Sequence, residues 1–159
     1  MIGFISAVET NCGHELIHRR EAHNKFIGML SYSKIFYSHN WEEHVQGHHK
    51  NLSTVKDHST SRLNESFYYF IIREIIGTHK SSWDRECRKI RLQHGKDCSI
   101  LAYILFNRMT YYFIFHVTIC VAIYFTLGYN SLKAHFAHAA VGLLYECFAN
   151  YITHYGIER

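Results

Sequence analysis

MTYYFIFHVTICVAIYFTLG, residues 109–128, is a run of twenty residues in which His116 is the one strongly polar member. At 1.5 Å per residue such a helix measures about 30 Å, the thickness of a bilayer's hydrocarbon core. A second apolar run, AHFAHAAVGLLYECFANYI (134–152), follows after only YNSLK (129–133). Two spans joined by so short a link predict a helical hairpin in a membrane. No proline occurs in the 159 residues, which favours uninterrupted helices over a turn-rich β architecture. The predicted fold class is therefore all-α, an integral-membrane helical bundle with residues 99–159 as its transmembrane hairpin.

The flanking charges give that hairpin a direction. Residues 73–98 carry seven Lys/Arg (Arg73, Lys80, Arg85, Arg88, Lys89, Arg91, Lys96) against four acidic residues. A basic segment before a span stays on the cytoplasmic side, so a chain that crosses and returns brings residues 151–159 back to that side. His154, in NYITHYG, then shares a membrane face with two upstream clusters, GHELIHR (13–19) and EHVQGHH (43–49). Residues 1–98 accordingly read as a histidine-rich region on the cytoplasmic face, helical around a loop at 51–60. Together with the hairpin they make one partial membrane domain. Within it SFYYFIIREIIG (66–77) is apolar but short, and Arg73 and Glu74 interrupt it, which predicts an interfacial or buried helix. Residues 1–12 read as the end of an apolar helix, as in a piece of a larger protein. A formal net charge of +4, unevenly placed, does not suggest nucleic acid. Five cysteines without a CxxC pair argue against both a disulfide framework and a thiolate zinc site.

Fourteen histidines are far more than a chain of this length usually carries, and histidine is the commonest metal ligand. On a helix, residues four apart share a face. His14 and His18 meet that condition, as do His44 and His48, while His49 is one step round, placed to bind from the flank or to hold a second ion. His154 brings the candidate ligands to six. One tetrahedral zinc needs three or four, so six suggest two ions; imidazole alone does not choose among Fe, Zn, Cu and Ni. A single HxxxH pair on a polar helix is more often surface than site, but three imidazoles within EHVQGHH rarely serve packing. His23, His58, His79, His94 and His135 read as solvated or interfacial, and His116 and His138, inside the spans, as facing the protein interior. HELIH also matches HExxH, the metalloprotease signature, with Glu42 or Glu43 as a third zinc ligand. That alternative leaves EHVQGHH and the hairpin unexplained.

Taken in order, the three clusters resemble the membrane alkane hydroxylase family, within the integral-membrane fatty-acid desaturases and hydroxylases. NCGHELIHRR (11–20) is similar to that family's first histidine box and EHVQGHH to its second, with His39 at a further histidine position of the pattern. STSRLNESFYYFIIREI (59–75) resembles the stretch after the second box, and ECFANYITHYGIER (146–159) the motif around His-Tyr-Gly. The resemblance covers essentially the whole chain. It departs in lacking a third box of the form LQxHxDHH: LQHGKD (92–97) lies upstream of His-Tyr-Gly and has no closing His-His pair. Thr153 also stands where the family commonly has glutamate.

The resemblance implies a non-haem di-iron centre held by His14, His18, His44, His48, His49 and His154. Behind these ligands it places Glu15, His39, Glu43, Glu146 and Asn150 as polar groups that orient the imidazoles. It further implies an O2-dependent monooxygenase acting on alkanes or alkyl chains, with electrons from a rubredoxin-like carrier and its reductase. The alkyl substrate would enter laterally from the bilayer, beside the small residues Ala137, Ala139, Ala140 and Gly142. A desaturase of the wider group, or a chain of this family without turnover, are the other readings it leaves.

Overall fold

The structure is a computed structural model that describes residues 2–95 and 98–157. Lys96 of the basic segment, and Glu158 and Arg159 of the terminal motif, lie outside them. Helices α1 (Ile2–Ile17) and α2 (Ala22–Ser33) lead to α3 (Asn40–Glu43), a π-turn (His44–His48) and α4 (His49–Asn51). After a loop come α5 (Phe67–His94), α6 (Ile100–Leu105) and α7 (Arg108–Thr153), and no strand occurs among the described residues.

α7 is the one helix among the described residues long and apolar enough to cross a bilayer. It is not straight. Gly128 adopts φ 82°, ψ 173°, a region open essentially to glycine alone. A straight helix would hold Arg108 and Glu146 about 57 Å apart. Instead Arg108 bonds Glu42, and Glu146 accepts from the Asn40 amide at 3.2 Å. Phe36 likewise meets rings from both sides of the break, His116 at 5.4 Å and His135 at 5.3 Å. The expected hairpin is therefore present, but its reversal lies at Gly128, and residues 129–133 continue as helix. One left-handed glycine replaces the expected five-residue link.

α1 packs into this hairpin through small residues. Ser6 and Thr10 are buried on one face, and Ser6 Oγ meets His138 Nδ1 at 2.9 Å. A Cβ at Gly142 would stand 2.5 Å from Ile35 Cγ2 and 3.3 Å from Ser6 Cβ. Ala139 and Gly142 are thus consumed by helix packing and leave no lateral opening there, whereas Ala137 and Ala140 are exposed. α2 closes on α1 in the same way, since a Cβ at Gly28 would lie 2.6 Å from Ile17 Cγ2.

The short helix expected at 66–77 is the first part of the 28-residue α5. Ser66 caps it by accepting from Tyr69 N–H at 3.3 Å, and Gly77, between the apolar start and the basic end, is buried and stays helical. Phe70, Glu74, Thr78, Ser82, Glu86 and Ile90, every fourth residue, form its buried face. That face is mostly polar, while Tyr68, Tyr69, Ile72 and Ile76 point outward.

Arg73 ties the 52–66 loop to α5. It donates four hydrogen bonds, two to the Glu65 carboxylate at 2.6 and 2.8 Å and one each to the carbonyls of His58 (3.1 Å) and Thr60 (2.8 Å). Both side chains of the ion pair are largely buried, at 12% and 5% exposure. Arg73→Met keeps the aliphatic stem but leaves Glu65 buried without its partner. The expected loss is about 3 kcal/mol of unfolding free energy, read as a lower denaturation midpoint in detergent. An unchanged midpoint would mean that the loop is held by something else.

Candidate metal centre

The first cluster lies at the C-terminal end of α1, where HELIH places His14 and His18 one turn apart with Nε2 atoms 3.2 Å from each other. The second cluster does not follow the α spacing expected of it. Residues 44–48 form a π-turn, whose wider i,i+5 winding brings His44 and His49, rather than His44 and His48, to a common point. The His44 and His49 Nε2 atoms are 3.0 Å apart, and His44 Nε2 is 3.1 Å from His18 Nε2. π-turns of this kind recur at functional sites. Gly47 permits the turn to close over an ion pair: a Cβ there would fall 2.3 Å from Glu43 Oε1 and 2.7 Å from Arg85 Nη2.

These contacts cannot all be ordinary hydrogen bonds. A neutral imidazole nitrogen carries either one N–H or one lone pair. In the chain 14–18–44–49, His18 Nε2 and His44 Nε2 each have two such neighbours, so one N–H would be split between two acceptors and one lone pair shared by two donors. Nitrogens that share one cation are under no such conflict. With metal–nitrogen bonds of 2.0–2.1 Å, a tetrahedral centre separates its ligand atoms by about 3.3 Å. Single nitrogens of His14, His18 and His44 all lie within 4.8 Å of one another. The side chains of His14, His18 and His44 therefore fit a transition-metal ion, and His49 stands beside them with its Nε2 against that of His44.

His48 turns the other way. Its Nδ1 meets Asp57 Oδ2 at 2.8 Å, and its ring lies 4.7 Å from that of His154. Thr60 in turn donates to Asp57, and the Ser59 N–H donates to Asp57 Oδ1 at 3.1 Å. His154 is placed by the loop that Arg73 clamps. Gly156, at φ 67°, donates its N–H to Ser61 O at 3.1 Å, and the Asn64 N–H donates to Tyr155 Oη at 3.1 Å. The six candidate histidines thus fall into a group of four and an adjoining pair, with His44 and His48 rings 5.1 Å apart at the join.

Burial, reinforced by neighbouring imidazoles, lowers the pKa of His14, His49 and His154, and takes His44 down to about 2. These rings stay neutral, the form a metal requires. Burial alone would raise the Asp57 carboxyl, but the bonds from His48 and Thr60 outweigh it and hold Asp57 below its usual value.

The groups expected behind the ligands are used elsewhere. Glu15 is exposed, and among the described residues no hydrogen bond joins it to an imidazole. Glu43 accepts from Arg85 at 2.7 Å and Ser82 at 3.1 Å. Glu146 accepts from Tyr32 and Asn40, both at 3.2 Å, and Asn150 donates to Glu74 at 2.7 Å. His39 bonds Thr78 at 3.4 Å and packs on His79. These side chains brace the helices around the centre rather than its rings. The carboxylate that does orient a candidate ligand is Asp57. Its signal was present, because Asp57 is the only acidic residue from 44 to 64. Glu42 is held by Arg108 and by Lys89 at 3.6 Å, so neither Glu42 nor Glu43 is free to be the carboxylate ligand of a HELIH metalloprotease.

Fold and site define an all-helical protein whose long apolar helix, doubled back at Gly128, carries a cluster of histidines able to hold a metal ion. The profile of the family described as "Fatty acid desaturase" matches residues 1–159, and the chain belongs to that family. It is 32% identical to Alkane 1-monooxygenase 1 of Alcanivorax borkumensis over 99% of this chain and 38% of that protein. It is 30% identical to Alkane 1-monooxygenase of Ectopseudomonas oleovorans and 26% identical to that of Pseudomonas putida, each over 99% of this chain and 38% of the relative. The chain thus spans about 38% of the length of these curated relatives. The family resemblance carried by the three motifs is borne out.

Two predictions follow from this geometry. Asp57→Asn keeps the shape of the His48 contact but removes its charge, and it should weaken Co(II) binding about ten- to a hundredfold in equilibrium dialysis. Unchanged affinity would remove Asp57 from the centre. Glu74 is buried with Oε2 unpartnered, and burial raises its pKa to about 8. The unfolded chain releases that proton near 4.5, so between these values rising pH favours unfolding. Glu74→Gln should therefore raise the melting temperature at pH 8, with the difference shrinking toward pH 4.5; a pH-independent difference would contradict this.

Proposed function

We propose that this chain supplies histidine ligands to a non-haem di-iron centre in a membrane monooxygenase that hydroxylates alkanes or alkyl chains. The observation that carries the reading is the two-part imidazole cage, in a chain whose relatives are alkane 1-monooxygenases. In this reading His14, His18, His44 and His49 hold one ion, and His48 and His154 contribute to the second. Iron bound there supplies the oxidising power toward an unactivated C–H bond that side chains lack.

The rest belongs to the residues. Asp57 accepts from His48 Nδ1–H and so presents Nε2 to the ion. The Arg85–Glu43 pair fixes the π-turn from below. The balance is one alkane, one O2, two electrons and two protons giving one alcohol and one water. The electrons come from a reduced rubredoxin-like carrier and its reductase, docking on the cytoplasmic face. In the same proposal residues 1–98 lie at that face and residues 99–159 form the membrane hairpin. Outward Tyr68, Ile72 and Ile76 beside an inward polar face suit a lipid surrounding.

The test is turnover in membranes carrying this chain, given reduced carrier, an n-alkane and isotopically labelled O2. The expected product is the primary alcohol bearing one labelled oxygen, lost on His44→Ala. An alkene would make the protein a desaturase, and activity that survives His44→Ala would place the chemistry elsewhere.

A further inference from the structure

A second group of histidines lies apart from the six, around a cleft of about 550 Å³ between the Phe36–His39 segment, α5 and the first half of α7. His39, His79 and His116 line it, and none of the six candidate ligands does. His39 closes the inner end at 3% exposure, while Trp83 (39%) and Phe113 (68%) stand at the mouth with Lys80 beyond them. Phe36 contributes a wall from a left-handed backbone, φ 57°, a conformation costly for an aromatic residue and held only where its surroundings demand it. The cleft is thus polar at its floor and apolar at its mouth, the reverse of a headgroup site at a membrane surface.

The hydrogen bonds fix which polar chemistry the floor accepts. His79 Nδ1 is 2.8 Å from Ile75 O. A carbonyl only accepts, so Nδ1 carries the proton and Nε2 is left with a lone pair. Thr78 Oγ1 donates to Glu74 O at 2.8 Å, so His39 Nε2, 3.4 Å away, is the donor in its contact with Thr78, and His39 Nδ1 too is an acceptor. Burial lowers the pKa of both rings, His39 the more strongly, and keeps them neutral. Tyr112 on the same lining accepts from Trp41 Nε1 at 2.7 Å and keeps its own O–H to give, but at the two rings a partner must donate. A carboxylate or an aldehyde cannot, and a carboxylate would also have to leave water uncompensated. An alkane brings no group for the floor at all.

We propose that this cleft binds a long-chain primary alcohol, which enters hydroxyl first, donates to His79 Nε2 and leaves its alkyl tail against Phe36, Trp83 and Phe113. The site stands independently of the metal centre, since it asks nothing of the six histidines. If the hydroxylase reading holds, this is a place where the protein retains its own product class.

Trp41 and Trp83 are the two tryptophans of the chain, so Trp41→Phe leaves Trp83 as a reporter at the mouth of the cleft. The variant, in phosphatidylcholine nanodiscs at neutral pH, is titrated with ω-bromododecanol, bromododecane and ω-bromododecanoate. The expected result is saturable quenching by the alcohol at a mole fraction about tenfold below that needed for the other two. His79→Phe in the same background, which keeps the ring volume and removes the lone pair, should abolish the preference. Equal quenching by all three probes would reduce the cleft to a lipid-facing surface, and stronger quenching by the carboxylate would make it a Lys80-headed anion site. Either outcome overturns the proposal. The three-probe comparison needs no change at His79, and a failed turnover assay leaves it untouched.

Discussion

Imidazoles can be crowded to within 3.0–3.2 Å of one another only while they are uncharged, and even then single N–H groups and lone pairs are over-shared, which a cation between them relieves. Much of the surrounding structure answers that constraint. His14 and His44 are buried enough to stay neutral. The carboxylates just before the second cluster, Glu42 and Glu43, are committed to Arg108 and Arg85, so their charge is already balanced away from the histidines. Asp57 is the exception, and it is one bond removed, on the far nitrogen of His48. A carboxylate in that position strengthens a ligand without competing for its metal.

Holding so polar a centre rigid turns the usual order of burial inside out. The residues buried in the structure include Ser6, Thr10, Asn40, Glu74, Thr78, Ser82, Glu86 and Glu146, while Tyr68, Ile72, Phe113 and Phe125 are exposed. A soluble domain with that distribution would expose a large apolar surface. In lipid the same distribution is favourable, because apolar side chains lose nothing by facing outward and polar groups gain partners inside. The buried polar contacts also join elements far apart in the chain: Tyr32 and Asn40 to Glu146, Glu74 to Asn150, Tyr37 to Thr78. They lock the hairpin, α5 and the π-turn segment together where an apolar core would do so in water.

This inversion explains what could and could not be read from the chain. The reversal of the long apolar helix and the meeting of the three histidine clusters were legible because length, hydropathy and histidine spacing report them directly. The extent of α5 was not. Its outward apolar residues thin out after Ile76 to Trp83 and Leu92, and the polar inward face that continues to Ile90 looks like an ordinary basic surface helix. The reversal at Gly128 was hidden because one glycine with a positive φ leaves no composition signal, whereas YNSLK looks like a turn. The orienting groups were harder to read. The family resemblance pointed to Glu15 and Glu43, but a carboxylate reaches an imidazole through the fold, and Asp57 arrives on a loop that Arg73 and the His-Tyr-Gly turn hold in place.

The π-turn is where these threads meet. An α-helix through EHVQGHH would have set His44 and His48 on one face and sent His49 round the side. Widening that one turn exchanges their roles: His49 joins the group of four and His48 is released toward Asp57 and His154. A single insertion of helical slack thereby lets one short segment serve both groups of imidazoles. The accommodation is local and depends on Gly47, whose missing side chain leaves room for Glu43 and Arg85 beneath the turn. The seven-residue motif therefore encodes a division of ligands that its spacing, taken as an ideal helix, does not contain. The pairing of residues across the turn follows from the packing of α5 against it through Ser82 and Arg85.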